Sequence, residues 1–111
     1  MPNRDIIVIG TSAGGVSALT DLVGSLPVDL NATLFIVQHI LAHSHSNLPY
    51  ILNRSGSLFA THAIDGERFE KNRIYIAPPD HHMILEQDHI LVKKVQKKTA
   101  SGHLLMLCFV Q

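Results

Sequence analysis

Residues Asp5–Leu26 read DIIVIGTSAGGVSALTDLVGSL, and this stretch decides the fold class. Ile6, Ile7, Val8 and Ile9 form a continuous β-branched run rather than an alternating one. That is the pattern of a parallel strand buried on both faces. The run stops at Gly10 and passes into Thr11-Ser12-Ala13-Gly14-Gly15. From there Val16, Leu19, Leu22, Val23 and Leu26 describe one apolar face of a helix starting near Gly14, and Pro27 stops it. Strand, glycine-rich turn and helix together open a parallel α/β unit.

The alternation continues outward. Leu34–Val37 reads as a second strand ending at Gln38-His39. Ser44 to about Asn53 reads as a second helix, with Leu48, Ile51 and Leu52 inward and Ser55-Gly56 as its exit. Leu58–Ala63 and Arg73–Ala77 read as a third and fourth strand, the latter closed by Pro78-Pro79. Met83–Glu86 and His89–Val92 then read as a β-hairpin around Gln87-Asp88. The expected class is α/β, a partial doubly wound (Rossmann-like) parallel sheet with right-handed crossovers and a β-hairpin near residues 83–92. Val95–Gln111 fits no element well; Leu104–Val110 is a strand candidate without an evident partner.

Composition sets the outer bounds. The chain has 111 residues, 46% apolar and 16% charged, which suits one domain and excludes a disordered chain. Its longest unbroken apolar stretch, Leu104–Val110, is far too short to span a membrane, and the amino terminus lacks the pattern of a signal peptide. A cytoplasmic protein without membrane insertion is expected, and the single cysteine, Cys108, fits a reducing compartment. The formal charge is zero but unevenly spread: all nine acidic residues lie before residue 89, and Lys93, Lys94, Lys97 and Lys98 follow it. No aromatic residue interleaves these lysines, so no stacking platform forms and no nucleic-acid partner is expected.

Ligands bind at the carboxyl ends of strands in open parallel sheets. Ser12 lies in the first strand-to-helix turn and His39 directly follows the second strand. If these strands pair, a hydroxyl and an imidazole share one rim, as a nucleophile and its general base require. The helix start at Ala13, Gly14 and Gly15 offers backbone N–H groups and positive potential to a developing oxyanion. A serine in such a turn is also a common helix cap, so spacing alone leaves both roles open.

The same Gly14-Gly15 turn supports an alternative, a non-catalytic phosphate- or nucleotide-binding module. It matches neither G-x-G-x-x-G nor a P-loop. His43, His45, His81 and His82 lack zinc-ligand spacing, so no metal and no cofactor is expected. Asp65, Glu67 and Glu70 read as a solvated turn, and Asp80 as a turn residue near the rim.

Three segments carry a resemblance. IIVIGTSAGGVSAL (Ile6–Leu19), FIVQHI (Phe35–Ile40) and DGERFEKNRIYIAPPDHHMIL (Asp65–Leu85) resemble, in order, the catalytic domain of the chemotaxis protein-glutamate methylesterases, the CheB family. The resemblance covers roughly residues 5–93. It implies a doubly wound α/β domain that hydrolyses γ-glutamyl methyl esters on methyl-accepting chemotaxis receptors and deamidates receptor glutamines. It also implies Ser12 as the nucleophile, in G-x-S-x-G-G, and His39 of V-Q-H as its base.

Two departures follow. The family's triad aspartate lies in a glycine-rich motif downstream of the hairpin, and this chain has no acidic residue after Asp88. Loss of the histidine's partner costs about 10⁴ in kcat in the general triad template. The tail from Val95 also departs from the family, so residues 1–94 are expected to be a truncated methylesterase domain and 95–111 a foreign tail. No receiver domain precedes Met1, so control in cis is expected to be absent. A truncated sheet is expected to leave an edge of the fourth or central strand unpaired and to self-associate through it.

Overall fold

The computed structural model describes residues 6–12, 16–39, 47–79, 81–94 and 108–110. Four strands make one parallel sheet: β1 (Ile6–Ser12), β2 (Thr33–His39), β3 (Phe59–His62) and β4 (Arg73–Ile76), in the order β1-β2-β4-β3. Helices α1 (Val16–Gly24) and α2 (Leu48–Ser55) connect them. Strands β5 (His81–Leu85) and β6 (Ile90–Lys94) form the expected antiparallel hairpin, joined on its other side by β7 (Cys108–Val110), parallel to β5. The carboxyl-terminal strand candidate thus has a partner, a short pairing of Met83–Leu85 with Cys108–Val110.

The sheet is covered on both faces. On one side Leu34, Ile36, Ile74, Ile76 and Ala60 pack against Leu19 and Val23 of α1 and Leu48 and Leu52 of α2. On the other, Phe35, Val37, Tyr75 and Ala77 pack against Met83, Leu85 and Ile90 of the hairpin. Phe35 stacks on Tyr75 at 5.6 Å and meets Phe69 edge-on at 5.2 Å, an aromatic seam under the hairpin. Two helix ends cross closely. A Cβ on Gly56 would lie 2.5 Å from the Val23 carbonyl oxygen, so glycine there lets α2 exit against α1.

Several boundaries and burials differ from the sequence reading. β1 is not buried on both faces: it is a sheet edge among the described residues, with Ile7 40% and Val8 46% exposed. β4 is not an edge, being paired on both sides by β2 and β3. Leu22 is 42% exposed, because α1 turns Leu19 and Val23 inward instead. Within the described residues α2 begins at Leu48, next to Pro49, which suits a first helical turn.

The segment expected to be a solvated turn is one, with Asp65 and Glu70 exposed, and it also ties the hairpin down. Asp65 Oδ1 accepts from the Val92 N–H at 2.8 Å, and Glu67 Oε2 accepts from the Ile64 N–H at 2.7 Å. Backbone bonds Gly66 N–H to Ile90 O and Ile90 N–H to Glu67 O fasten β6 to the same segment. Gly66 sits at φ 87°, a left-handed conformation open to glycine. The turn before β4 places Asn72 at φ 67°, and its N–H bonds Ala32 O at 2.9 Å, setting β4 beside β2.

Candidate active site

Two strand ends build the site. β1 and β2 pair in parallel register from Ile6↔Thr33 through Gly10↔Val37 and Thr11↔Gln38 to Ser12↔His39. The residues picked out from sequence as hydroxyl and imidazole therefore occupy one register row, at the carboxyl ends of adjacent strands. Paired strands run about 4.8 Å apart, so the two backbones stand one strand spacing from each other. The two apolar runs, Ile6–Ile9 and Leu34–Val37, pair one residue out of step, Ile7 with Leu34 and Gly10 with Val37, and this offset brings Ser12 and His39 to the same rim.

Helix α1 begins at Val16, in the crossover that leaves Ser12. Its first turn holds no acidic side chain of its own to offset the positive end of its dipole. Ala13, Gly14 and Gly15, expected to supply backbone N–H groups, lie outside the described residues, as do His43, His45 and Asp80.

Three other histidines stand at the same end of the sheet. His62 ends β3, and burial holds its imidazole below the ordinary value of 6.5. His81 and His82 open β5 just past Pro78-Pro79. The His81 Nδ1 lies 2.8 Å from the Pro79 carbonyl oxygen, which assigns that nitrogen the proton. His82 is pushed below 6.5 by burial first, and then by His81 and Lys93. Register places His81 opposite Lys94 and His82 opposite Lys93, so the open end of the hairpin is basic. Its far end carries the acids, where His89 bridges Glu86 and Asp88 at 3.1 and 3.0 Å. Among the described residues no three His, Cys, Asp or Glu side chains converge as a metal site would require. Sequence reasoning weighed His81 and His82 only as metal ligands and passed over His62, whose available signal was its position at a strand carboxyl end.

The comparisons decide the family. The family model for the CheB methylesterase domain matches residues 7–107. The chain belongs to the CheB methylesterase family. A Maricaulis maris protein-glutamate methylesterase/protein-glutamine glutaminase is 38% identical over 84 residues, 76% of this chain and 21% of its own. The Halalkalibacterium halodurans protein of the same description is 41% identical over 81 residues, 73% of this chain and 23% of its own. A Leptospira interrogans relative, 35% identical over 86 residues, is matched over 45% of its length. The chain thus spans about half or less of the curated relatives it matches. The crystal structure of the Thermotoga maritima CheB methylesterase catalytic domain superposes with a TM-score of 0.73 at 29% identity, over 85% of this chain and 51% of that one. The α/β architecture with its parallel sheet is the fold of that catalytic domain.

Proposed function

We propose that this chain carries the nucleophile-bearing part of a protein-glutamate methylesterase acting on methylated chemotaxis receptors in the cytoplasm. The observation that carries the reading is the Ser12↔His39 register row at the carboxyl ends of β1 and β2. In the proposed reaction His39 takes the Ser12 proton as the hydroxyl oxygen attacks the γ-glutamyl ester carbonyl. Backbone N–H groups at Ala13, Gly14 and Gly15, ahead of the α1 amino end, stabilise the oxyanion. The C–O bond to the leaving group breaks, methanol takes the proton from His39, and water then hydrolyses the acyl-serine to release glutamate. Attack on a receptor glutamine by the same route releases ammonia instead.

The rate is proposed to be low. Within these 111 residues no Asp or Glu follows Asp88, and a chain left without a carboxylate to orient His39 is proposed to be slow. That absence costs about 10⁴ in kcat by the general triad template. Methanol release from a γ-glutamyl methyl ester peptide tests the proposal. Slow release that disappears in Ser12→Ala supports it. No release at all, or release unchanged in Ser12→Ala, overturns it. Self-association of the isolated chain through a sheet edge is proposed as well.

A further inference from the structure

The charges of the hairpin are sorted along its length. At the closed end Glu86 and Asp88 are balanced in place: His89 bridges them at 3.1 and 3.0 Å, and Arg68 reaches Asp88 at 3.4 Å. At the open end β6 finishes in Lys93 and Lys94, both exposed. Among the described residues no carboxylate forms an ion pair with either lysine. Asp65, an acid at this end of β6, spends Oδ1 on the Val92 N–H at 2.8 Å. Side chains alternate along a strand, so the two lysines face opposite ways. Lys94 continues the face of Ile90 and Val92, which pack in the core with Phe35, Val37, Tyr75 and Ala77, and Lys93 continues that of Leu91. On the inward face Leu85–Ile90, Met83–Val92 and His81–Lys94 form successive rows. Leu85, Met83 and Ile90 are fully buried, whereas Lys94 is exposed, so the last row lies beyond the covered core.

Connectivity says where that row sits. β4 passes into β5 through a short connection at Pro78-Pro79. The Ala77 N–H bonds the Ile36 carbonyl at 2.9 Å, so the chain leaves β4 alongside β2. The His81–Lys94 row thus overhangs the carboxyl ends of the parallel strands, the rim that carries the Ser12–His39 row. From this we infer that Lys94 is a specificity-determining residue that binds a carboxylate of an acidic stretch in the polypeptide substrate, close to the side chain being hydrolysed. Its part in substrate choice rests on the proposed esterase reading. The proposed chemistry supplies such carboxylates: ester hydrolysis and deamidation both leave a glutamate behind. A segment with more than one reactive side chain therefore gains negative charge at each turnover. A cation held at the rim retains that partly processed segment and favours reaction at its remaining positions.

The experiment measures fluorescence anisotropy of two labelled peptides against the full 111-residue chain. Each peptide carries one γ-methyl glutamate, flanked by glutamates in one and by glutamines in the other. At low salt the acidic peptide should bind about fivefold more tightly, and the preference should vanish near 0.5 M salt, where screening is short-ranged (about 4 Å). Lys94→Gln should cut the preference to about twofold or less. Lys93→Gln, which removes the same charge from the opposite face, should leave most of it. Unaltered binding of the neutral peptide shows that both variants are folded. Equal affinity for the two peptides overturns the proposal, as does a preference that both substitutions reduce alike. Tighter binding of a single-stranded oligonucleotide than of the acidic peptide, lost in Lys94→Gln, overturns it too by assigning the rim to another polyanion. Methanol release is read separately on the neutral peptide. A Lys94-dependent preference without any release leaves the carboxylate-binding residue standing and removes the esterase reading.

Discussion

Asn53 illustrates how much one side chain can settle. It sits on the polar side of α2, and nothing in its spacing marks it as a partner for β3. Its amide nevertheless satisfies both backbone groups of Ala60, which is buried. Asn53→Ala should destabilise the fold by about 1–3 kcal/mol in urea unfolding, the cost of stranding buried backbone groups. His62 and His82 give a second test at this scale. Burial holds both below 6.5. Above 6.5 they are neutral folded or unfolded. As pH falls through 6.5 the unfolded chain binds protons that the folded chain does not, so stability declines until pH is below the folded values. Urea midpoints should therefore drop between about pH 7.5 and about pH 5.5, and His62→Gln should shrink that drop. The shared register row of Ser12 and His39 was foreshadowed in the sequence because each lies a few residues past an apolar run. His62 was not, since its depressed basicity comes from packing that only the assembled sheet provides.

The elements were legible where periodicity was unbroken and less so where tertiary context intervened. The run Ile6–Ile9 and the spacing Val16–Leu19–Val23 identify β1 and α1 without help. Exposure of β1 was not legible, because a continuous apolar run looks the same at a sheet edge as at a sheet centre. Asp65, Glu67 and Glu70 read as a solvated turn from their acids and Asp65 and Glu70 are exposed, but the backbone N–H groups that Asp65 and Glu67 accept from were not legible. The crossing of α1 and α2 rests on a residue that sequence marks only as a helix exit. At Gly56 a methyl group meets the Val23 backbone oxygen, which cannot swing aside as a side chain would. Gly56→Ala should cost about 1–3 kcal/mol, seen as a lowered urea midpoint with an unchanged slope.

At the scale of the whole molecule, a four-stranded sheet is covered above by two helices and below by a hairpin, while one edge strand keeps apolar surface on both faces. That combination is the basis on which self-association of the isolated chain is proposed. Light scattering at tens of micromolar should find oligomers for the wild-type chain and a shift toward monomer for Val8→Lys. A monodisperse wild-type monomer would contradict the edge argument. The same strand ends at the rim where Ser12 and His39 share a register row, so the proposed assembly and the proposed chemistry lie close together.

The pairing of that hydroxyl with that imidazole is tested most directly by a fluorophosphonate probe, with the adduct mapped by peptide mass spectrometry. The adduct should fall on Ser12, vanish in Ser12→Ala, and form about 10²-fold or more slowly in His39→Gln, the usual share of a general base. An adduct on another residue, or equal labelling rates with and without the His39 imidazole, would contradict the account.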